Sequence, residues 1–137
     1  MPNPRRPRVR GLGRGRRLRR ELSRGGSGPA RALNTAVGGW PGVRITPVFG
    51  RWGYFVGERL FGCFPLSDKD RDLWLRLTAD DQARALREPG VRPHRRFAGG
   101  GWVELRVEGE ADVARALRWL RRARAAVTAG AAGEDAR

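Results

Sequence analysis

The stretch Phe49–Leu77, FGRWGYFVGERLFGCFPLSDKDRDLWLRL, decides how this chain is read. It carries most of the aromatic residues, the single cysteine Cys63, and three short runs with strand character. Trp52–Val56 and Arg59–Phe64 flank Gly57-Glu58, a Gly-X pair of the kind that closes a two-residue hairpin. Pro65 ends the second run, and Ser67–Arg71 is a polar loop of mixed charge. Asp72–Leu77 then alternates, so Leu73, Leu75 and Leu77 share one face while Trp74 and Arg76 share the other. The stretch predicts a three-strand antiparallel meander.

Outward from that centre, Pro29–Val37 has Ala32, Leu33, Ala36 and Val37 at helical spacing, and Gly38-Gly39 stops it. Trp40-Pro41-Gly42 is a turn, and Val43–Thr46 alternates ahead of Pro47 as an edge strand does. Downstream, Thr78 caps a helix with Asp80 and Asp81 in its first turn, which runs to about Glu88 before Pro89-Gly90. A short strand is expected at Pro93–Phe97, then a flexible turn over Ala98–Gly101. In the last strand, Trp102–Val107, residues Val103, Leu105 and Val107 face the core and Trp102, Glu104 and Arg106 face away. A closing helix from near Gly109 to about Thr128 has the apolar stripe Val113, Leu117, Leu120, Ala123 and Val127 beside the basic face Arg115, Arg118 and Arg122. This order predicts an α+β fold: two layers, an antiparallel sheet of about five to six strands, and helices on one side.

The motifs carry resemblances. Phe49-Gly50, Gly53–Gly62 and Asp72–Leu77 resemble the N-terminal domain of TfoX (Sxy) regulators. With Pro93-His94 and Gly101-Trp102-Val103 added, they are similar to the small MmcQ/YjbR proteins, which share that domain's double-wing type of fold and are often labelled DNA-binding. Trp40-Pro41-Gly42-Val43, Leu75-Arg76-Leu77, Trp102-Val103-Glu104 and an acid-capped final helix resemble the short bacterial luciferase-family proteins. Together these cover residues 40 to about 125. The chain lacks room for the second, helical domain of TfoX regulators, so a competence-regulator role is not carried over.

At 137 residues the chain is one domain's worth. Residues 1–28 read as a disordered Arg/Gly-rich arm, 29–128 as the domain and 129–137 as a frayed tail. Of the formal net charge of +15, the eleven arginines and one acid of residues 1–31 supply +10. The arm is either a phosphate-tracking tail with salt-dependent affinity or a solvated extension without a partner. A single cysteine excludes an intramolecular disulfide and a cysteine-built metal cluster. No apolar run approaches the roughly 18 to 20 residues of a membrane span, and no signal-like segment follows the basic start. A cytoplasmic protein without a membrane partner is expected.

No catalytic, cofactor-binding or metal residues are expected, and no cofactor. Ser23, Ser27 and Ser67 lack a nucleophile-elbow context, and Gly99–Gly101 does not lead from a strand into a helix as a phosphate loop does. Asp80-Asp81 and the pair Glu110 and Asp112 are explained by capping. Cys63, in an apolar run, reads as a small buried residue. His94, the only histidine, either joins Arg92, Arg95 and Arg96 at an anion or, the favoured reading, sits half-exposed on its strand.

The remaining signal is on the face opposite the leucines, where Trp52, Trp74 and Trp102 are expected beside Arg51, Arg76 and Arg106. Interleaved tryptophan and arginine would stack bases and hold phosphates of single-stranded nucleic acid, or hold a planar anionic ligand. They would equally make a homodimer interface or plain packing. The candidate binding residues are Trp52, Trp74, Arg76, His94, Arg95, Arg96, Trp102 and Arg106. A non-enzymatic nucleic-acid or anionic-ligand binding module is the expected function. The alternative is an interaction protein dimerising through the aromatic face, and an enzyme with a pocket near His94 and Trp102 comes last.

Overall fold

The meander read from residues 49–77 lies within a computed structural model that describes residues 28–135. Its strands are β2 (Arg51–Val56), β3 (Arg59–Pro65) and β4 (Asp72–Arg76). Strand β1 (Val43–Val48) pairs with β2 at one edge. On the other side β6 (Trp102–Arg106) pairs with β4 and with the edge strand β5 (Val91–Pro93). The six strands run β1-β2-β3-β4-β6-β5, with every neighbouring pair antiparallel. Pro47, which cannot donate to a ladder, sits in the edge strand β1, where one missing N–H is tolerated.

Three helices cover one face. They are α1 (Pro29–Gly38), α2 (Ala79–Ala85) and α3 (Glu110–Asp135). The leucine face of β4 and the valine-leucine face of β6 bury Leu73, Leu75, Leu77, Val103, Leu105 and Val107 against Leu120, Ala123 and Val127 of α3. From β2, the buried Tyr54 hydroxyl donates to Asn34 Oδ1 of α1 at 2.8 Å, and burial pushes its pKa up. A bonded hydroxyl avoids the cost of an orphaned polar group in the core.

The basic face of α3 is not a solvated stripe. Arg122 donates to Asp81 of α2 at 2.8 Å, and Arg118 and the Trp119 indole donate to Glu88 at 3.2 and 3.1 Å. The Asp81 carboxyl is held below its ordinary range, chiefly by the Arg122 hydrogen bond. Thr78 caps α2 as expected, its hydroxyl accepting from Asp81 N–H at 3.2 Å. These pairs fasten α2 to α3, and among the described residues no α-helix covers the second face of the sheet.

Several boundaries differ from the sequence reading; β1, for one, runs on through Pro47 to Val48. The strand expected at Pro93–Phe97 is instead Val91–Pro93, because its pairing with β6 starts at Val91↔Leu105 and ends at Pro93↔Val103. Residues 94–97 turn away from the ladder. Helix α2 stops at Ala85, and α3 continues to Asp135, past Thr128. The expected arm, apart from Gly28, and the last two residues lie outside the described residues.

A candidate ligand cleft on the open sheet face

Strand alternation decides which side chains reach the uncovered face. The pairs Cys63↔Trp74, Trp74↔Glu104 and Arg76↔Trp102 put these five residues on one side, with Arg51 beside them on β2. Of these, Arg51, Cys63, Trp74 and Trp102 border a cleft of about 550 Å³. Its apolar walls are Leu60, Cys63, Trp74, Phe97 and Trp102, Val48 and Phe49 stand at one rim, and Arg51, Ser67 and Asp70 form its polar end.

His94 is the best-fixed polar group in that cleft. It follows β5 and is only 4 % exposed, not half-exposed on a strand. The reason is local: past Pro93 the chain turns, and Nδ1 accepts the backbone N–H groups of Arg96 and Phe97, each at 3.0 Å. An Nδ1 that accepts carries no proton, so the neutral ring bears its hydrogen on Nε2. The ring stands at 81° to Trp74 with centroids 4.4 Å apart and stacks on Phe97 at 5.2 Å. Burial pushes the imidazole to a lower pKa; Glu104 opposes that, while Arg95, Arg51 and Arg96 reinforce it. The ring is therefore neutral at pH 7.

Arg51 closes the polar end. Its guanidinium carbon lies 3.6 Å over the Trp74 ring, and the group donates to the Asp72 carbonyl and reaches the Asp70 carboxylate at 3.6 Å. Cys63, also buried, has its thiol pushed up by burial against the lowering effect of Arg51, so it stays a neutral thiol. Among the described residues no group of three or more His, Cys, Asp or Glu side chains is arranged to hold a metal ion.

Beside the cleft, Glu104 anchors an ion-pair network. It is 1 % exposed and accepts from Arg92 at 3.0 Å and from Arg95 at 2.9 Å, with the Arg95 backbone N–H adding a third bond at 3.2 Å. Burial alone would raise its pKa, but the Arg95 hydrogen bonds and the charges of Arg95 and Arg92 overcome this and hold it at about 2. Arg92 also donates to Asp72 at 2.9 Å, and Arg106 pairs with Glu108.

Of the residues expected to form one platform, Trp74, His94 and Trp102 meet at the cleft. Arg76 lies beside Trp102 and donates to the Gly100 carbonyl at 3.3 Å. Arg95 and Arg106 are held by carboxylates, and Arg96 contributes its backbone N–H to His94. Trp52 is not on this face: β2 begins at Arg51, so Trp52 shares the helix side with Tyr54, opposite Phe64, and is 3 % exposed. The sequence reading missed Phe49, Leu60 and Phe97 as cleft residues. Phe49-Gly50 is the two-residue turn between β1 and β2, with φ of 50° and 74°. The signal was the two-residue gap itself, obscured because phenylalanine is not a turn residue at positive φ.

A small α+β domain with one sheet face packed by helices and the other carrying an aromatic cleft is the class these features define. Residues 61–123 match the family model described as Luciferase domain. That match covers a little under half of the chain. It takes in Cys63, Trp74, His94, Phe97 and Trp102, and it stops short of Phe49 and Arg51. No curated protein and no solved structure matches the chain. No helix among the described residues is long and apolar enough to cross a membrane.

Proposed function

We propose that this domain is a non-enzymatic binding module that takes a small, flat, largely apolar molecule into the cleft bordered by Trp74, His94 and Trp102. The carrying observation is the 550 Å³ aromatic-walled cleft on a sheet face that the helices leave uncovered. Concave, mostly apolar sites with a few fixed polar groups suit small ligands.

A nucleic-acid role of the kind the MmcQ/YjbR and TfoX resemblance implies has less support on this face. Arg92, Arg95 and Arg106 are engaged by Glu104, Asp72 and Glu108, and Trp52 is in the core. A polyanion would instead have to rely on the basic arm. The deciding experiment titrates the full chain with flat aromatic fragments and with labelled single-stranded and duplex DNA and RNA at two salt concentrations. Quenching of tryptophan fluorescence by fragments, with nucleic-acid binding that disappears near physiological salt, supports the cleft reading. Salt-resistant nucleic-acid binding that quenches the same tryptophans would overturn it.

A second reading is homodimerisation through this face. Phe49 and Phe97 are exposed large apolar side chains at this cleft, with Phe49 98 % exposed. Exposed apolar clusters mark association surfaces. Sedimentation of the full chain across a hundredfold concentration range tests it; a monomer throughout removes this reading.

A further inference from the structure

The cleft's unpaired polar atoms are all of one kind. Nε2 of His94, Nε1 of Trp74 and Nε of Arg51 are buried without a hydrogen-bond partner, and all three residues line the cleft. Each is an N–H donor: Trp74 and Arg51 by chemistry, His94 because its Nδ1 accepts two backbone N–H groups. They are contiguous, since Arg51 stacks on one side of Trp74 at 3.6 Å and His94 meets the same ring at 4.4 Å. The candidate acceptors at the polar end are already engaged: Ser67 Oγ takes the Lys69 N–H, Asp70 Oδ1 takes the Asp72 N–H, and Asp70 Oδ2 faces Arg51. Leaving a buried donor unpaired is costly, so a fold that keeps three together favours an occupant bringing acceptors.

Charge narrows the acceptor. Arg51 is buried, yet its nearest carboxylate, Asp70, is half-exposed at 3.6 Å and its direct hydrogen bond goes to the neutral Asp72 carbonyl. A buried cation whose counter-charge is a half-exposed carboxylate, paired at 3.6 Å without a short hydrogen bond, gains more from an anionic oxygen than from a neutral one. We propose that the ligand of this cleft is a planar aromatic anion whose carboxylate or equivalent oxygen is received by His94, Trp74 and Arg51 while its ring lies along Trp102 and Phe97. This assignment rests on the cleft reading above, and deepens it.

The test uses the full chain and two probes of the same shape, 2-naphthoate and 2-methylnaphthalene, followed by tryptophan fluorescence and by proton NMR of the imidazole and indole N–H groups. Charge-assisted hydrogen bonds predict that naphthoate binds about ten- to a hundredfold more tightly, and that it alone moves the His94 and Trp74 N–H resonances downfield. His94→Phe, which keeps a ring but loses the donor, should narrow the gap between the probes; the wild-type N–H shifts give the same answer should that variant not fold. Equal affinity for the two probes overturns the anion assignment while the cleft stands. Failure of both to bind removes the cleft reading, and the assignment with it.

Discussion

The guanidinium of Arg51 lies 3.6 Å from the Trp74 ring centroid, joining β2 to β4 across β3. Planar stacking together with a hydrogen bond to the Asp72 carbonyl needs a flat, forked cation, which lysine does not supply. Arg51→Lys should lower stability by about 1–2 kcal/mol, read as a lower urea midpoint at unchanged slope. The same variant should weaken 2-naphthoate and leave 2-methylnaphthalene nearly unaffected.

Phe49 holds φ of 50° at the tip of the β1–β2 hairpin with its ring 98 % exposed. A non-glycine residue there is strained, and asparagine tolerates the same conformation better. Phe49→Asn should therefore stabilise the fold by about 0.5–1 kcal/mol, seen as a higher Tm. Because Phe49 also forms a rim of the cleft, the variant should bind flat ligands less tightly. Strain kept at a site that contributes to binding is the trade this predicts.

Glu104 sets an acid limit. Its folded value of about 2 lies below the ordinary 4.5, so in that window the unfolded chain binds more protons than the folded one. The stabilisation is present above about pH 4.5 and is lost as pH falls through 2, on the order of 2 kcal/mol. His94, depressed below 6.5 by burial, adds a loss in the same direction that begins as pH falls below 6.5. Glu104→Gln should remove most of the acid-side slope between pH 4.5 and 2, while the step below 6.5 persists; urea midpoints measured from pH 8 to pH 2 check both.

Gly101 has φ of 96°, and a Cβ there would stand 2.2 Å from the Leu77 carbonyl oxygen. That approach exists because the Leu77 N–H donates to the Gly101 carbonyl at 2.9 Å, joining the loop before β6 to the end of β4. Gly101→Ala combines backbone strain with a backbone clash and should cost about 2–4 kcal/mol in chemical denaturation.

Much of the fold was legible in the sequence because its signals are local. Alternation in Asp72–Leu77 and Trp102–Val107, the Gly57-Glu58 turn and the Thr78 cap each depend on neighbours within a few residues, and each appears as read. The site was legible only in part, because it depends on register and on long-range pairing. Trp52 and Trp74 look alike in sequence, and only the pairs Trp52↔Phe64 and Cys63↔Trp74 put them on opposite faces. Arg95 read as a candidate for binding an anion, but Glu104, on another element, engages it at 2.9 Å. His94 read as a strand residue, because the bonds that turn 94–97 inward run from backbone N–H groups to its own ring.

The central claim is that the helix-free face binds a small flat ligand at Trp74, His94 and Trp102. Its most direct test is the amide and indole NMR spectrum of the labelled full chain during titration with 2-naphthoate. The account predicts saturable shifts concentrated at Trp74, His94, Phe97, Trp102 and the Phe49 hairpin tip, with α1 and α3 unmoved. Shifts centred on the helices, or none at millimolar probe, would contradict it.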